Sequence, residues 1–156
     1  MWKRSDDFKN AVENLHFKYD VLSEYKSNSL RSLVYSKFTN TPNYSYPLWE
    51  NLHSFKGVIF DFAWEWLSDL LKDEKVIIFF EEANDKLAFV IMDGSVIPQI
   101  MNECPAMTFY ITNENVDFLY AYHHDHSIFR VCGSAKEKFE KYISKIGINV
   151  DVYSAN

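Results

Sequence analysis

Apolar residues recur every three or four positions near both ends of the chain and predict helices there. The first predicted helix runs from about Ser5 to Tyr25, with Ser5 as its N-cap and two acids in its first turn. The last predicted helix runs from Ala135 to Ile146 and is capped by Ser134. The segment from Leu30 to Tyr35 is compatible with either a short helix or a strand.

The middle of the chain changes to apolar runs rich in β-branched and aromatic residues, which predict strands. These strands are expected at about 75–82, 87–92, 107–112, 117–123 and 127–132. Short connections between successive strands favour antiparallel pairing. The predicted fold class is therefore α+β: N-terminal helices followed by a mainly antiparallel five-stranded sheet and a C-terminal helix, in a single domain over residues 1–156.

Two helical segments are predicted between the first helix and the sheet. One is a short turn from Pro47 to Leu52, and the other is a full helix from Asp61 to Leu71. The apolar face of the second consists of Phe62, Trp66, Leu67 and Leu70. Trp64 lies off that face, so it is the ring expected to remain exposed for contact with a partner.

Charge is distributed unevenly along the 156 residues, which carry a net charge of −6. Residues 57–129 hold 13 acids and only three lysines, whereas the segments on either side each have a net charge of +2. Binding of nucleic acid is disfavoured because phosphate contacts depend on Lys and Arg. An acidic surface would attract a basic protein, although a merely solvated surface explains the pattern equally well.

Cellular location is predicted from what the chain lacks. No apolar run approaches the roughly 20 residues of a membrane-spanning helix, and the N-terminal residues contain no apolar signal segment. Two cysteines, Cys104 and Cys132, are typical of buried thiols in a reducing compartment. We therefore expect a cytoplasmic protein with no membrane contact and no cofactor.

A histidine cluster, His123-His124-Asp125-His126, is the strongest candidate for chemistry. Imidazole and carboxylate are ligands of zinc and other transition metals, so His124, Asp125 and His126 form the candidate metal site of a metal-dependent enzyme. An extended strand would place His123 on the opposite face from His124 and His126, which weakens this interpretation. Polar residues between two apolar strands are more typical of a hairpin turn.

Carboxylates near the first predicted hairpin are interpreted as a binding surface. Glu81, Glu82 and Asp85 could act as a general acid and base, but charges at this position usually solubilise a hairpin tip. Together with Trp64 and Asp125, they are the residues expected to contact a partner.

Several short motifs resemble a family of small bacterial proteins. In chain order they are Leu48-Trp49-Glu50-Asn51-Leu52, Glu103-Cys104-Pro105, Phe109-Tyr110-Ile111-Thr112-Asn113, Asp117-Phe118-Leu119, His123-His124-Asp125 and Gly133-Ser134-Ala135-Lys136. Such families resemble the immunity proteins of contact-dependent and polymorphic toxin systems. The resemblance implies a small acidic α+β protein that binds and neutralises one cognate toxin domain, such as a basic nuclease. It implies no catalytic residues.

Overall fold

The computed structural model of the protein describes residues 3–41, 46–81 and 85–155. Within these ranges the α-helices are α1 (Arg4–Asn14), α2 (Glu24–Phe38), α3 (Leu67–Leu70), α4 (Ile97–Asn102) and α5 (Lys136–Ile146). The strands are β1 (Tyr19–Val21), β2 (Phe55–Ile59), β3 (Val76–Phe79), β4 (Ala88–Ile91), β5 (Phe109–Thr112), β6 (Phe118–His123), β7 (Ile128–Gly133) and β8 (Tyr153–Ser154). None of the described helices combines the length and apolar character that a membrane crossing requires.

All eight strands belong to one antiparallel sheet in the order β1-β4-β3-β5-β6-β7-β2-β8. On one face, called the four-helix face, a core that includes Phe8 and Phe139 packs α1, α3, α4 and α5 against the sheet. On the other, called the α2 face, Val34 and Leu48 pack α2 and the turn at 48–51 against it. Because both faces are covered, β3, β4 and β5 are buried along their whole length.

The five predicted strands are confirmed, but the sheet is wider than predicted. β1 lies where the first helix was expected to continue, because α1 ends at Asn14 and His16 has a φ of 60°, which a helix cannot contain. Ser5 lies within α1 rather than at its N-cap, a position taken by Lys3. The ambiguous segment from Leu30 to Tyr35 is helical and belongs to α2.

The predicted helix from Asp61 to Leu71 is replaced by a 3₁₀ turn at Ala63–Trp66 followed by the short α3. Three residues per turn, instead of 3.6, change which side chains share a face. Phe62 is consequently 57% exposed, whereas Trp64 is partly buried against the core of the four-helix face. The expectation that Phe62 is buried and Trp64 exposed is therefore wrong.

Buried charges hold the connection between β3 and β4. Arg31 of α2, only 2% exposed, donates hydrogen bonds to the carbonyls of Phe80, Asp85 and Leu87. The Asp85 carboxylate, 3% exposed, accepts a hydrogen bond of 2.6 Å from the Ser5 backbone N–H of α1. The prediction that Asp85 lies on an exposed hairpin tip is therefore wrong, because its carboxylate is used within the fold.

Candidate functional site

The β6–β7 hairpin carries the histidine cluster at one end of the sheet. His123 is the last residue of β6, and His124–His126 form a 3₁₀ turn. Ser127 has a φ of 52° and directs the chain into β7. The interpretation of these residues as a hairpin turn is confirmed.

The end of β2 and the two residues after it are bonded to this turn. Ile59 pairs with Ile128 in the sheet, and the Phe60 N–H donates a hydrogen bond of 3.0 Å to the Ser127 carbonyl. The Ser127 hydroxyl in turn donates to Asp61 Oδ1 at 2.7 Å. The residues that follow β2 and the hairpin turn therefore form one continuous surface.

The Trp49 indole stacks on His123 on the α2 face. Their ring centroids are 4.3 Å apart and the planes differ by 17°. Thr108 Oγ1 lies 2.9 Å from His123 Nδ1 and orients the imidazole. Burial lowers the pKa of His123 from its ordinary value of 6.5 and outweighs the opposing effect of the Asp125 carboxylate. The imidazole is therefore mainly neutral at pH 7.

The other imidazoles lie close by on the turn. His124 Nε2 is 2.8 Å from Asp125 Oδ1, and the rings of His124 and His126 have their centroids 5.9 and 5.3 Å from that of His123. In the part of the chain that the structure describes, no group of three or more His, Cys, Asp or Glu side chains is placed to hold a metal ion. A metal site at His124, Asp125 and His126 stays a prediction.

Arg130 lies on the same face of the sheet as His123. Its guanidinium carbon is 4.3 Å from the ring centroid of Phe55, 5.3 Å from that of Trp49 and 6.0 Å from that of Tyr153. Nη1 donates to the Trp49 carbonyl at 2.7 Å, and Nε donates to the Tyr153 hydroxyl at 3.3 Å. Trp49 thus contacts both His123 and Arg130.

Arg130 could not be recognised as a site residue from the sequence, because its position depends on how the strands pair. Its cross-strand neighbours are Gly57 in β2 and Ala121 in β6, the two smallest residues available. A Cβ atom on Gly57 would lie 2.8 Å from Tyr153 Cζ. These small neighbours leave room above the sheet for the Tyr153 ring and the guanidinium. The sequence does not show this space, because it depends on which residues pair across the strands.

Glu81 lies just beyond β3 and orients the turn that carries Trp49. Its carboxylate accepts hydrogen bonds from the Leu48 N–H, at 2.9 Å, and from the Tyr110 hydroxyl. The Tyr110 oxygen also accepts a hydrogen bond of 3.1 Å from the Trp49 N–H. Glu81 is therefore in place to position Trp49, whereas Glu82 lies outside the described residues.

The exposed side chains around the hairpin combine apolar and charged groups. Ile59 is 66% exposed, Phe62 is also largely exposed, and Asp61 and Asp125 are exposed beside them. We call these side chains, with Trp49 and the hairpin residues, the hairpin surface; it comprises Trp49, Ile59, Asp61, Phe62 and residues 123–128.

The acids of residues 57–129 do not form a single patch. The strand register places Asp73, Glu74, Asp93, Glu114 and Asp117 at the end of the sheet opposite the hairpin. A second set, Asp61, Glu81 and Asp125, lies at the hairpin end, together with Glu50 from the preceding segment.

Neither cysteine is an activated nucleophile. Both are free thiols, and burial raises the pKa of Cys104 and of Cys132 to about 12. The Cys104 thiol lies 3.3 Å from the carbonyl of Ile100, to which it donates. These thiols are protonated at neutral pH.

Comparisons with known proteins do not identify a relative: no protein-family profile, curated protein or solved structure matches the chain. The resemblance to immunity proteins stays a prediction based on short motifs. Two of those motifs, Leu48–Leu52 and His123–Asp125, meet in the stack of Trp49 on His123.

Proposed function

We propose that the protein is a cytoplasmic immunity protein that binds and neutralises a cognate toxin domain through the hairpin surface. The observation that carries the proposal is the exposure of Ile59 and Phe62 on either side of Asp61, whose carboxylate is bonded to Ser127 of the hairpin. Exposed apolar side chains surrounded by charges are characteristic of protein-binding surfaces, where buried aromatic and aliphatic anchors supply most of the affinity.

Several side chains of the hairpin surface are held in fixed positions, which supports a role in binding. Asp61 is held by the Ser127 hydroxyl, and its carbonyl accepts a hydrogen bond of 3.0 Å from Tyr122. His123 is fixed between Trp49 and Thr108. A surface that is ordered before binding loses little conformational entropy when a partner arrives, so more of the contact energy becomes affinity.

The charge around the hairpin favours a basic partner. Glu50, Asp61 and Asp125 give this end of the sheet an excess of carboxylates, which accelerates the approach of a positively charged protein. A toxin domain that cleaves nucleic acid must itself be basic in order to bind phosphate. A nuclease domain is therefore the partner class that this proposal names.

The test compares two variants with exposed apolar side chains replaced by Glu. Wild-type protein, I59E/F62E and M92E serve as bait for pull-downs from the native host at low salt, with folding checked by circular dichroism. Met92 is 56% exposed but follows β4 at the opposite end of the sheet. Wild type and M92E are expected to retain the same toxin protein, and I59E/F62E to lose it.

Each other outcome has a defined meaning. Retention by all three baits would show that the partner binds elsewhere, and recovery of no partner by the wild type would contradict the immunity function. Metal analysis of the same bait tests the alternative of a metal-dependent enzyme. About one equivalent of metal, lost in H124A, would support a site at His124, Asp125 and His126.

A further inference from the structure

Arg130 has donors that the fold leaves unused. A guanidinium carries five N–H donors, and Nε and Nη1 of Arg130 use one each. Nη2 has no hydrogen-bond partner among the described residues, and the Arg130 side chain is only partly buried. In the same part of the chain, no carboxylate forms an ion pair with Arg130.

The surroundings of Arg130 fix its orientation. Three aromatic rings, Phe55, Trp49 and Tyr153, lie within 6.0 Å of the guanidinium carbon. Gly57 and Ala121 keep the neighbouring strands clear of bulky side chains. A guanidinium that is already held in one orientation loses little rotamer entropy when it forms further hydrogen bonds.

We propose that Arg130 binds a carboxylate group of the partner at the margin of the hairpin surface. A guanidinium presents paired N–H donors that match the two oxygens of a carboxylate. Phosphate matches the same donors, but its second negative charge is disfavoured by the nearby carboxylates of Glu50, Asp61 and Asp125. The inference rests on the proposed function only for the identity of the protein that supplies the carboxylate.

Arg130 would allow the hairpin surface to distinguish one basic partner protein from another. Basic residues of a partner would face the carboxylates around the hairpin, while one acidic residue would face Arg130. A basic protein without that acid would cover Arg130 and leave its Nη2 donors without water or a partner, which lowers affinity. Acidic residues near the hairpin therefore select for charge, and Arg130 selects among basic partners.

The test uses acetate as the probe, so it does not depend on finding the partner. Wild-type protein, R130K and R4K are titrated with sodium acetate at constant ionic strength, and the Trp49 indole and Gly57 amide signals are followed by NMR. Lys keeps the positive charge but loses the paired donors, so acetate affinity in R130K is expected to fall about tenfold. R4K, the matched change at an exposed helix residue, is expected to behave as wild type.

Equal acetate affinity in wild type and R130K would overturn the inference, as would tighter binding of inorganic phosphate or an equal response to chloride. If R130K does not fold, the Arg130 Nε–H signal of the wild type provides the readout. A saturable shift of that signal with acetate supports the inference, and a signal that does not move overturns it.

Binding to the captured partner separates the two proposals. Acetate binding at Arg130 without any captured toxin would retain the carboxylate site and contradict the immunity function. Equal affinity of wild type and R130K for a captured toxin would retain the function and contradict the role of Arg130.

Discussion

The His123 imidazole is partly buried and stacks on the Trp49 indole, and this position affects its ionisation. A proton on this partly buried imidazole would place a positive charge beside His124 and His126, and beneath an indole that already contacts Arg130. Asp125 and Glu50 oppose this effect but do not overcome burial. The ring that stacks on Trp49 is therefore mainly the neutral imidazole at pH 7.

Stability is expected to decrease as the pH falls below about 6.5. The folded state lowers the pKa of His123 from 6.5, so the unfolded chain binds more protons in this range. The contribution of the neutral ring is present above about pH 6.5 and is lost as the pH falls through the lowered pKa. Urea unfolding between pH 7 and pH 5 should show a smaller loss in H123F, which retains an aromatic ring, than in wild type.

The exposed His16 provides the control for this measurement. H16N should follow the pH dependence of wild type, because His16 lies outside the hairpin surface and Asn tolerates its φ of 60°. Parallel curves for wild type and H123F would mean that His123 does not couple protonation to stability.

At the level of residues, the sequence identified groups that are adjacent in the chain and missed those assembled by folding. The histidine turn was predictable because polar residues interrupt two apolar runs. The stack of Trp49 on His123 depends on strand register and on the turn at 48–51, which is distant in the sequence. The arrangement of the three aromatic rings around Arg130 depends on the same two features. Asp85 was misplaced for the same reason, since its burial depends on the N–H of Ser5.

The start of α1 depends on a residue from another element. Lys3 occupies the N-cap position and forms no side-chain hydrogen bond to the helix. Instead, Asp85 accepts a hydrogen bond from the Ser5 N–H, although it lies 80 residues later in the chain. Its carboxylate also lies at the positive end of the helix dipole. The connection between β3 and β4 therefore supplies the cap that the helix lacks.

Replacing Asp85 with Ala is expected to destabilise α1 selectively. The Ser5 N–H would lose its acceptor in a buried position, at a cost of about 1–3 kcal/mol in the free energy of unfolding. Hydrogen exchange should show faster exchange of α1 amides in D85A. In the control D93A, the loss of protection should instead centre on the turn at Gly94–Val96, since Asp93 accepts from the Ser95 N–H. Equal exchange of α1 in both variants would contradict this role.

Whole elements were predictable where apolar pattern and burial agree. β3, β4 and β5 are apolar on both faces and were recognised as strands. β1 and β8 have three and two residues, too few for a period to be recognised, and β2 is interrupted by Lys56 and Gly57. Pairing with a neighbouring strand, rather than intrinsic preference, makes these segments extended.

Across the whole molecule, two buried charges link the layers on either side of the sheet. Arg31 projects from α2 and donates hydrogen bonds to the connection between β3 and β4. Asp85 belongs to that connection and accepts a hydrogen bond from the Ser5 N–H of α1. The helices lie on opposite faces of the sheet. Loss of either side chain therefore affects the attachment of a helix on one face and the anchoring of the same connection.

Replacing Arg31 with Met is expected to lower the free energy of unfolding by at least about 2 kcal/mol. The buried carbonyls of Phe80 and Asp85 would each lose a donor, and each buried unsatisfied group costs about 1–3 kcal/mol. Urea unfolding followed by circular dichroism measures the change. R4M, at an exposed position, should remain within about 0.5 kcal/mol of wild type. An R31M value within that same range would show that the buried guanidinium contributes little.

The order of the strands also bears on aggregation. The long apolar strands lie inside the sheet, while its margins are formed by β1, with three residues, and β8, with two. Unpaired backbone groups at a sheet margin are a template for pairing with another molecule, and short strands offer few of them. Asp20 adds an exposed charge at the centre of β1. A chain with a strongly apolar sheet interior is thereby protected against sheet-to-sheet association at high concentration.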